Sequence, residues 1–308
     1  MTERGQILIT TSTFAEYDHK PLTLLEQAGF RYARNPYGRT LTRDELIDLI
    51  DGSVGIIAGT ERLDANTLKK MGQVRAISRC GVGIDNVDIK TAEELSIRVT
   101  NTPDSATMAV AELTVGLILS LIRKISAMDR DLKTGKWNKQ TGNLLFGKKV
   151  GILGFGKIGQ RVAELLSAFK VEIGFCDVVE KQNDIARQMP LEDLCRWADI
   201  ICIHVSGECS QRYVVGKAEI DLMKRGVWIV NCSRGGVVDE TALLEGLLNG
   251  KIAGAALDVF SEEPYQGPLA HFDNVVLTPH VGSYAREARI KMEIQAVENL
   301  LESLRSRK

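Results

Sequence analysis

Three side chains of this 308-residue sequence have the chemistry to hold an acid and move a proton. Arg234 lies in "WIVNCSRGGVVDE", Glu263 in "GAALDVFSEEP" and His280 in "VVLTPHVG". Each follows an apolar run that reads as a buried strand. Arginine presents a planar, two-pronged donor to a carboxylate. An imidazole gives and takes a proton near neutrality. A glutamate beside it fixes the tautomer and favours the protonated ring. Together they supply two of the three needs for reducing a 2-oxo acid, an anchor for its carboxylate and a proton for the nascent alkoxide. Taken alone, His280 also reads as a polar residue closing a strand.

The third need is a hydride donor. "KKVGILGFGKIGQRVAELLSAFKVEIGFCD" holds Gly154, Gly156 and Gly159 in a GxGxxG spacing. An apolar strand precedes them, a helical pattern runs from Lys157 to Phe169, and a second strand ends at Asp177. Gly154 permits the tight turn, Gly156 lets backbone approach a pyrophosphate, and Gly159 lets helix and strand pack closely. The helix start offers unpaired N–H groups and partial positive charge to phosphates. Phe155, Lys157 and Ile158 complete the loop. Asp177 suits the ribose hydroxyls and repels a 2′-phosphate, so NAD is expected over NADP, although nearby Lys181 leaves some NADP use open. His204 and Val205 end another strand beside the expected site; a catalytic role for His204 is the alternative. Cys232, Ser233, Asp258 and Gly282, also at strand ends, complete the expected cofactor-binding set.

These side chains need a scaffold that gathers strand ends, and the hydrophobic pattern predicts one. Strands are expected at 6–11, 54–59, 74–79 and 96–101, with helical patterns between them, then at 149–153, 171–176, 199–205, 227–232, 253–258 and 274–278. Such alternation means α/β domains with doubly wound parallel sheets. The segment 101–137 reads as one long helix. The amphipathic "YAREARIKMEIQAVENLLESL" can return to the first domain. The expected division is 1–101 with 285–308, and 102–284. "SRCGVGID" follows a strand, and successive amides around Gly81 and Gly83 suit a carboxylate; a plain turn is the alternative. Arg79 there is either a substrate contact or a structural ion-pair partner.

Composition narrows the class of function. The 39 basic and 40 acidic residues nearly cancel, which argues against a nucleic-acid partner. No run reaches the length of a membrane span, and "MTERGQILITT" lacks the features of a signal peptide. Six cysteines without a CxxC pair, Cys195, Cys202 and Cys209 among them, argue against a zinc site and fit reduced thiols in the cytoplasm. No metal is expected. His19 and His271 read as surface residues.

The phosphate loop, "NCSRGG", "LDVFSEEP" and "TPHVG" together resemble the D-2-hydroxyacid dehydrogenases, over essentially the whole chain. "RCGVGIDNVD", "NTPDSATMAVAEL" and "GKW" resemble the phosphoglycerate dehydrogenase branch. The resemblance implies a flavodoxin-like substrate domain with an inserted Rossmann NAD-binding domain. It implies Arg234 as substrate anchor, Glu263 as histidine partner and His280 as acid/base. It assigns Arg79, Cys80, Gly81, Val82 and Gly83 to the substrate loop. It also implies a homodimer with the helix near 105–130 in the interface, a short form without the C-terminal regulatory domain, and a place in serine biosynthesis. The leading substrate pair is 3-phosphoglycerate and 3-phosphohydroxypyruvate; the alternative is glyoxylate, hydroxypyruvate or another unphosphorylated 2-oxo acid. One departure stands out. Where animal-type enzymes of that branch carry a phosphate-binding arginine, "AGTERLD" has Ala58 or Gly59; Arg62, three or four residues further on, is the alternative for that role, and Glu61 beside it opposes a phosphate dianion unless it points away. The transcriptional corepressors that resemble this family suggest a second class, an NAD-sensing scaffold, which a turnover assay separates from an enzyme.

Overall fold

A computed structural model of the protein describes residues 5–205 and 213–305. In chain order the elements are β1 (Gln6–Ile9), α1 (Lys20–Gln27), β2 (Arg31–Arg34), α2 (Arg43–Leu49), β3 (Ser53–Ala58), α3 (Ala65–Leu68), β4 (Ala76–Arg79), α4 (Ile89–Glu94) and β5 (Arg98–Thr100). There follow α5 (Thr107–Ile122), α6 (Ile125–Lys133), β6 (Lys149–Leu153), α7 (Lys157–Ser167), β7 (Glu172–Cys176), β8 (Arg187–Gln188), α8 (Leu191–Trp197) and β9 (Ile200–Ile203). The chain closes with α9 (Lys217–Leu222), β10 (Val227–Asn231), α10 (Glu240–Leu248), β11 (Ile252–Leu257), β12 (Val275–Leu277) and α11 (Arg286–Arg305). Two compact units result, one of residues up to Ala106 with those from Ser283, the other Thr107–Gly282. The sequence placed the crossings after Asn101 and Tyr284. Residues 102–106 stay with the first unit because the Thr102 amide donates to the Gly81 carbonyl (3.0 Å) and Ser105 Oγ to Gln295 Oε1 (2.7 Å).

The first unit holds a parallel sheet in the order β2-β1-β3-β4-β5. Ile7 pairs with Tyr32 on one side and Gly55 on the other, and Ile56 pairs with Ile77. Side chains alternate faces along a strand. Ile7, Ile9 and Ile57 therefore pack with Leu22, Leu25, Met292, Val297 and Leu300 of α1 and α11, while Leu8, Ile56 and Ile77 pack with Leu46, Leu68 and Ala92 of α2, α3 and α4. β2, "RYAR", escapes the sequence pattern: it is an edge strand whose outer residues are exposed, so it carries no buried run. The strand order reverses between β1 and β3. In an open parallel sheet a crevice forms there, outside the carboxyl ends of the strands.

The second unit is a seven-stranded parallel sheet, β12-β11-β10-β9-β6-β7-β8, whose order reverses between β6 and β9. Every residue of β9 and nearly all of β6, β10 and β11 is buried, as expected of strands covered by helices on both faces. β8 is only two residues long and has no period to read. The single helix read over 101–137 is in fact two. α5 ends at Ile122, whose carbonyl accepts from the Asn143 amide (2.8 Å), and Lys124 turns left-handed at φ 56°. Competition for that carbonyl, not a proline or glycine, stops the helix.

Candidate active site

The three catalytic candidates stand on loops that follow β10, β11 and β12, all within the second unit. Gly235 presses its Cα face onto the Phe260 carbonyl, where a Cβ would collide. That approach joins the loop of Arg234 to the loop of Glu263. The Arg234 backbone is set by Asn231, whose Nδ2 donates to the Arg234 carbonyl (3.1 Å), and Arg234 Nη1 donates to the Ser233 carbonyl (2.8 Å). Ser233 is buried, with its amide and hydroxyl both donating to Asn231 Oδ1. His280 Nδ1 donates to Glu263 Oε2 at 2.8 Å, and Glu263 Oε1 accepts from the Phe260 amide at 3.1 Å. Because an ionised carboxylate only accepts, this bond puts the proton on Nδ1 and turns Nε2 outward. Burial alone would raise the Glu263 carboxyl. The imidazole, the Phe260 N–H and the charge of Arg234 outweigh it and hold the group below the usual carboxylate range.

His280 is left-handed at φ 54°, an uncommon conformation for a residue with a side chain, and one that the surroundings must enforce. Asp258 does so. Its Oδ1 accepts from Thr278 Oγ1 (2.6 Å) and the Val281 amide (2.8 Å), and its Oδ2 from the Gly282 amide (2.8 Å). The carboxylate is 1% exposed and brackets His280 on both sides. Reading the sequence put Asp258 among cofactor contacts; the structure shows both of its oxygens engaged by the histidine loop. Gly282 belongs to the same bracket, since a Cβ there would lie 3.1 Å from Asp258 Oδ2.

The GxGxxG loop sits where the sheet order reverses. Gly154 has φ 86°, and a Cβ there would be 2.6 Å from the His204 carbonyl oxygen. Gly159 packs on the Gly154 carbonyl. Gly156, the N-cap of α7, faces open space within 4 Å and no side chain caps the helix. Lys157 and Ile158 begin that helix, and Phe155 stacks on Phe175 with ring centroids 3.8 Å apart. An uncapped helix start beneath an unobstructed glycine fits a dinucleotide pyrophosphate. Asp177 Oδ2 accepts from the Phe155 amide (2.7 Å) and Lys181 Nζ (2.6 Å). His204 is buried, neither ring nitrogen has a hydrogen-bond partner among the described residues, and burial lowers its pKa to about 4. It is a neutral ring whose backbone, with that of Val205, packs on Gly154. Cys232 is buried and its thiol is pushed up to about 12, chiefly by burial. Cys209 lies outside the described residues. Among those described, no cluster of His, Cys, Asp or Glu is placed to hold a metal ion, and no helix is long and apolar enough to cross a membrane.

The remaining candidates belong to the first unit. Arg79 ends β4; its Nη1 donates to the Cys80 carbonyl and its guanidinium lies over Gly81. The Gly81 amide donates to the Arg79 carbonyl (3.0 Å), so it is committed within the loop. Thr102 and Asn101 hold the carbonyls of Gly81 and Val82, which fixes the backbone leading to Gly83. Cys80 is buried, its thiol pushed up to about 12 by burial. His19 and His271 are exposed.

Residues 115–282 match the family model for the D-isomer specific 2-hydroxyacid dehydrogenase, NAD binding domain. The chain belongs to that family. It is 40% identical over 260 residues to the D-3-phosphoglycerate dehydrogenase of Methanocaldococcus jannaschii, a match covering 81% of this chain and 49% of that one. It is 38% identical to the hydroxypyruvate reductase of Thermotoga maritima, covering 86% and 89%. The crystal structure of the TT0316 protein from Thermus thermophilus superposes with a TM-score of 0.90 at 33% identity, over 98% of both chains. The chain therefore spans about half the length of the phosphoglycerate dehydrogenase it matches and most of the length of the reductase.

Proposed function

We propose that the protein interconverts a D-2-hydroxy acid and its 2-oxo acid, with Arg234 anchoring the carboxylate and His280 moving the proton. The observation that carries this reading is the His280–Glu263 pair at 2.8 Å on a loop forced into a left-handed turn. When bound at the glycine loop, the nicotinamide cofactor supplies or accepts the hydride. The chain's own residues do the rest. Arg234 offers its fork to the carboxylate and orients the carbonyl. His280 Nε2 gives its proton to the oxygen as the ketone is reduced, and takes it back in the reverse direction. Glu263 keeps the imidazole in one tautomer and stabilises its cation. Gly154, Phe155, Gly156, Lys157, Ile158, Gly159 and Asp177 would hold the dinucleotide, and the loop of Arg79 and Cys80 to Gly83 the substrate.

Two acid classes suit this chemistry. Relatives named phosphoglycerate dehydrogenase point to the phosphorylated three-carbon acid, and those named hydroxypyruvate or glyoxylate reductase to unphosphorylated ones. What separates them is the charge at the far end of the acid. A second copy of the chain is the partner that the family resemblance implies; the exposed Ile125, Leu132 and Trp137 on and after α6 support it. The test is NADH oxidation with a panel of 3-phosphohydroxypyruvate, hydroxypyruvate, glyoxylate and 2-oxoglutarate. At least one should turn over. His280→Gln should lower kcat by at least about 100-fold while NADH still binds by fluorescence titration. An unchanged kcat, or no turnover with any acid, refutes the assignment.

A further inference from the structure

Glu240 opens α10, yet its carboxylate leaves its own helix. That helix start is already capped: Asp239 Oδ1 accepts from the amides of Thr241 (3.0 Å) and Ala242 (3.2 Å). Glu240 Oε1 instead accepts from the Ser261 amide at 2.7 Å, in the loop that follows β11. A carboxylate is favoured near a helix start whatever it bonds, so the helix does not account for this reach. The same peptide unit is held from its other side. Its carbonyl, that of Phe260, presses on Gly235, where a Cβ would collide. The 260–261 peptide is thus gripped at both C=O and N–H by the stretch that leads from β10 into α10. The amide before it, that of Phe260, donates to Glu263 Oε1 (3.1 Å), and Glu263 Oε2 holds His280 Nδ1 (2.8 Å). The Phe260 ring closes the turn by stacking on Tyr265, with centroids 4.3 Å apart, and Tyr265 Oη accepts from the Leu269 amide (3.1 Å). All of these residues belong to the second unit.

Glu263 needs such an anchor. Its side chain is 37% exposed and that of His280 43%, so packing alone leaves both able to turn toward water. A pair this exposed contributes little unless its geometry is fixed by something else. Asp258 fixes the histidine. Resting on the acid/base role proposed above for His280, we infer that Glu240 is the positioning residue for Glu263: by holding the Ser261 amide it sets the turn of residues 260–263 and keeps the Glu263 carboxylate on the imidazole. Arg234 immediately precedes Gly235, so the same grip keeps the carboxylate anchor and the histidine partner together as one body. The charges that bear most on the Glu263 carboxyl are those of His280 and Arg234. Glu240 therefore acts through its hydrogen bond and not through its charge.

Two conservative variants separate bond from charge. Glu240→Gln keeps an oxygen for the Ser261 amide and loses the charge. Glu240→Asp keeps the charge and is one methylene too short to reach. In Glu240→Asp, amide exchange at Ser261 should quicken about tenfold. With any 2-oxo acid that turns over, kcat should fall about tenfold, while KM and the NADH dissociation constant stay within about threefold of the unmodified values. Glu240→Gln should stay within about threefold in all of these. The signature of placement is the Nδ1 proton of His280, which resonates far downfield while a carboxylate holds it. In Glu240→Asp it should move upfield and exchange faster with water; in Glu240→Gln it should stay. His280→Gln, in which the signal vanishes, assigns it. A merely structural Glu240 would lower the thermal midpoint in Glu240→Asp and leave this proton in place, and that result overturns the inference. A proton displaced in Glu240→Gln but not in Glu240→Asp overturns it too, by placing the effect in the charge. The proton is read without substrate. Failure to turn over any acid would remove the reaction and still leave the placement of Glu263 to be scored.

Discussion

At the scale of single residues, Asp177, the carboxylate proposed to meet the ribose, is the one whose setting differs most from its sequence reading. Asp177 suited NAD because a free carboxylate takes ribose hydroxyls and repels a 2′-phosphate. In the structure Lys181 Nζ sits on it at 2.6 Å and also donates to the Phe155 carbonyl (2.9 Å), while the Val179 amide takes Oδ1 (3.0 Å). Burial pushes the Asp177 carboxyl up, but Lys181 and the amides of Val179 and Phe155 hold it below its ordinary range. It remains ionised and its charge is compensated. Lys181 is the more exposed partner, 27% against 10%, so it is the one free to leave. Lys181→Met should therefore release the carboxylate, and the ratio of NADPH to NADH dissociation constants should rise by about tenfold. Asp177→Ala should shift the ratio the other way, leaving an ammonium for the 2′-phosphate. Fluorescence titration of both nucleotides measures this, and an unmoved ratio in Lys181→Met would mean that the lysine is a bystander.

At the scale of elements, the histidine loop shows how a short strand end is made rigid. β12 is three residues long and cannot by itself hold His280 at φ 54°. The bracket from Asp258, on the neighbouring β11 end, supplies what is missing. Asp258→Asn turns an NH₂ toward amides that need acceptors. It should lower kcat about 10- to 100-fold with a smaller change in KM, and speed hydrogen exchange at Val281 and Gly282. Exchange as slow as in the unmodified protein would show that the turn holds without the carboxylate. None of this was legible in "LDVFSEEP". The spacing of apolar runs told which residues end strands, and so brought Arg234, Glu263 and His280 to the same edge of one sheet. Sequence alone paired Glu263 with the imidazole and gave Asp258 to the cofactor; that Asp258 engages the backbone of the histidine loop depends on loop geometry, which apolar spacing does not carry. The close approach of Gly235 to Phe260 was written as the glycine pair after Arg234, a signal available but unread. β6 and β9 were readable because they are buried over all or nearly all of their length. β2 and β8 were not, being an exposed edge and a two-residue bridge. The break between α5 and α6 comes from Asn143, far along the chain, and no local propensity announces it.

At the scale of the whole molecule, near-neutrality decides where pH dependence originates. With 39 basic and 40 acidic side chains, no net field sets stability against pH; individual buried groups do. Asp177, Asp199 and Glu263 have folded pKa values below their ordinary ones. They stabilise above the ordinary carboxylate range and lose this as pH falls through their folded values. Glu61 and Glu293 are raised, burial being the main cause in both. Their contribution is present at low pH and is lost as pH rises through the folded values. His204 acts in a window of its own. An unfolded histidine titrates near 6.5, whereas burial lowers the folded one to about 4. Between those limits the unfolded chain takes a proton that the folded chain refuses, so stability falls as pH drops below about 6.5. Urea unfolding should show a loss of roughly 2 kcal/mol from His204 alone between about pH 6.5 and about pH 5. His204→Leu should flatten that limb, since it removes the titrating ring together with two nitrogens that find no partner among the described residues. An acid limb equally steep in the variant would place the proton uptake elsewhere, on the carboxylates held below their ordinary range.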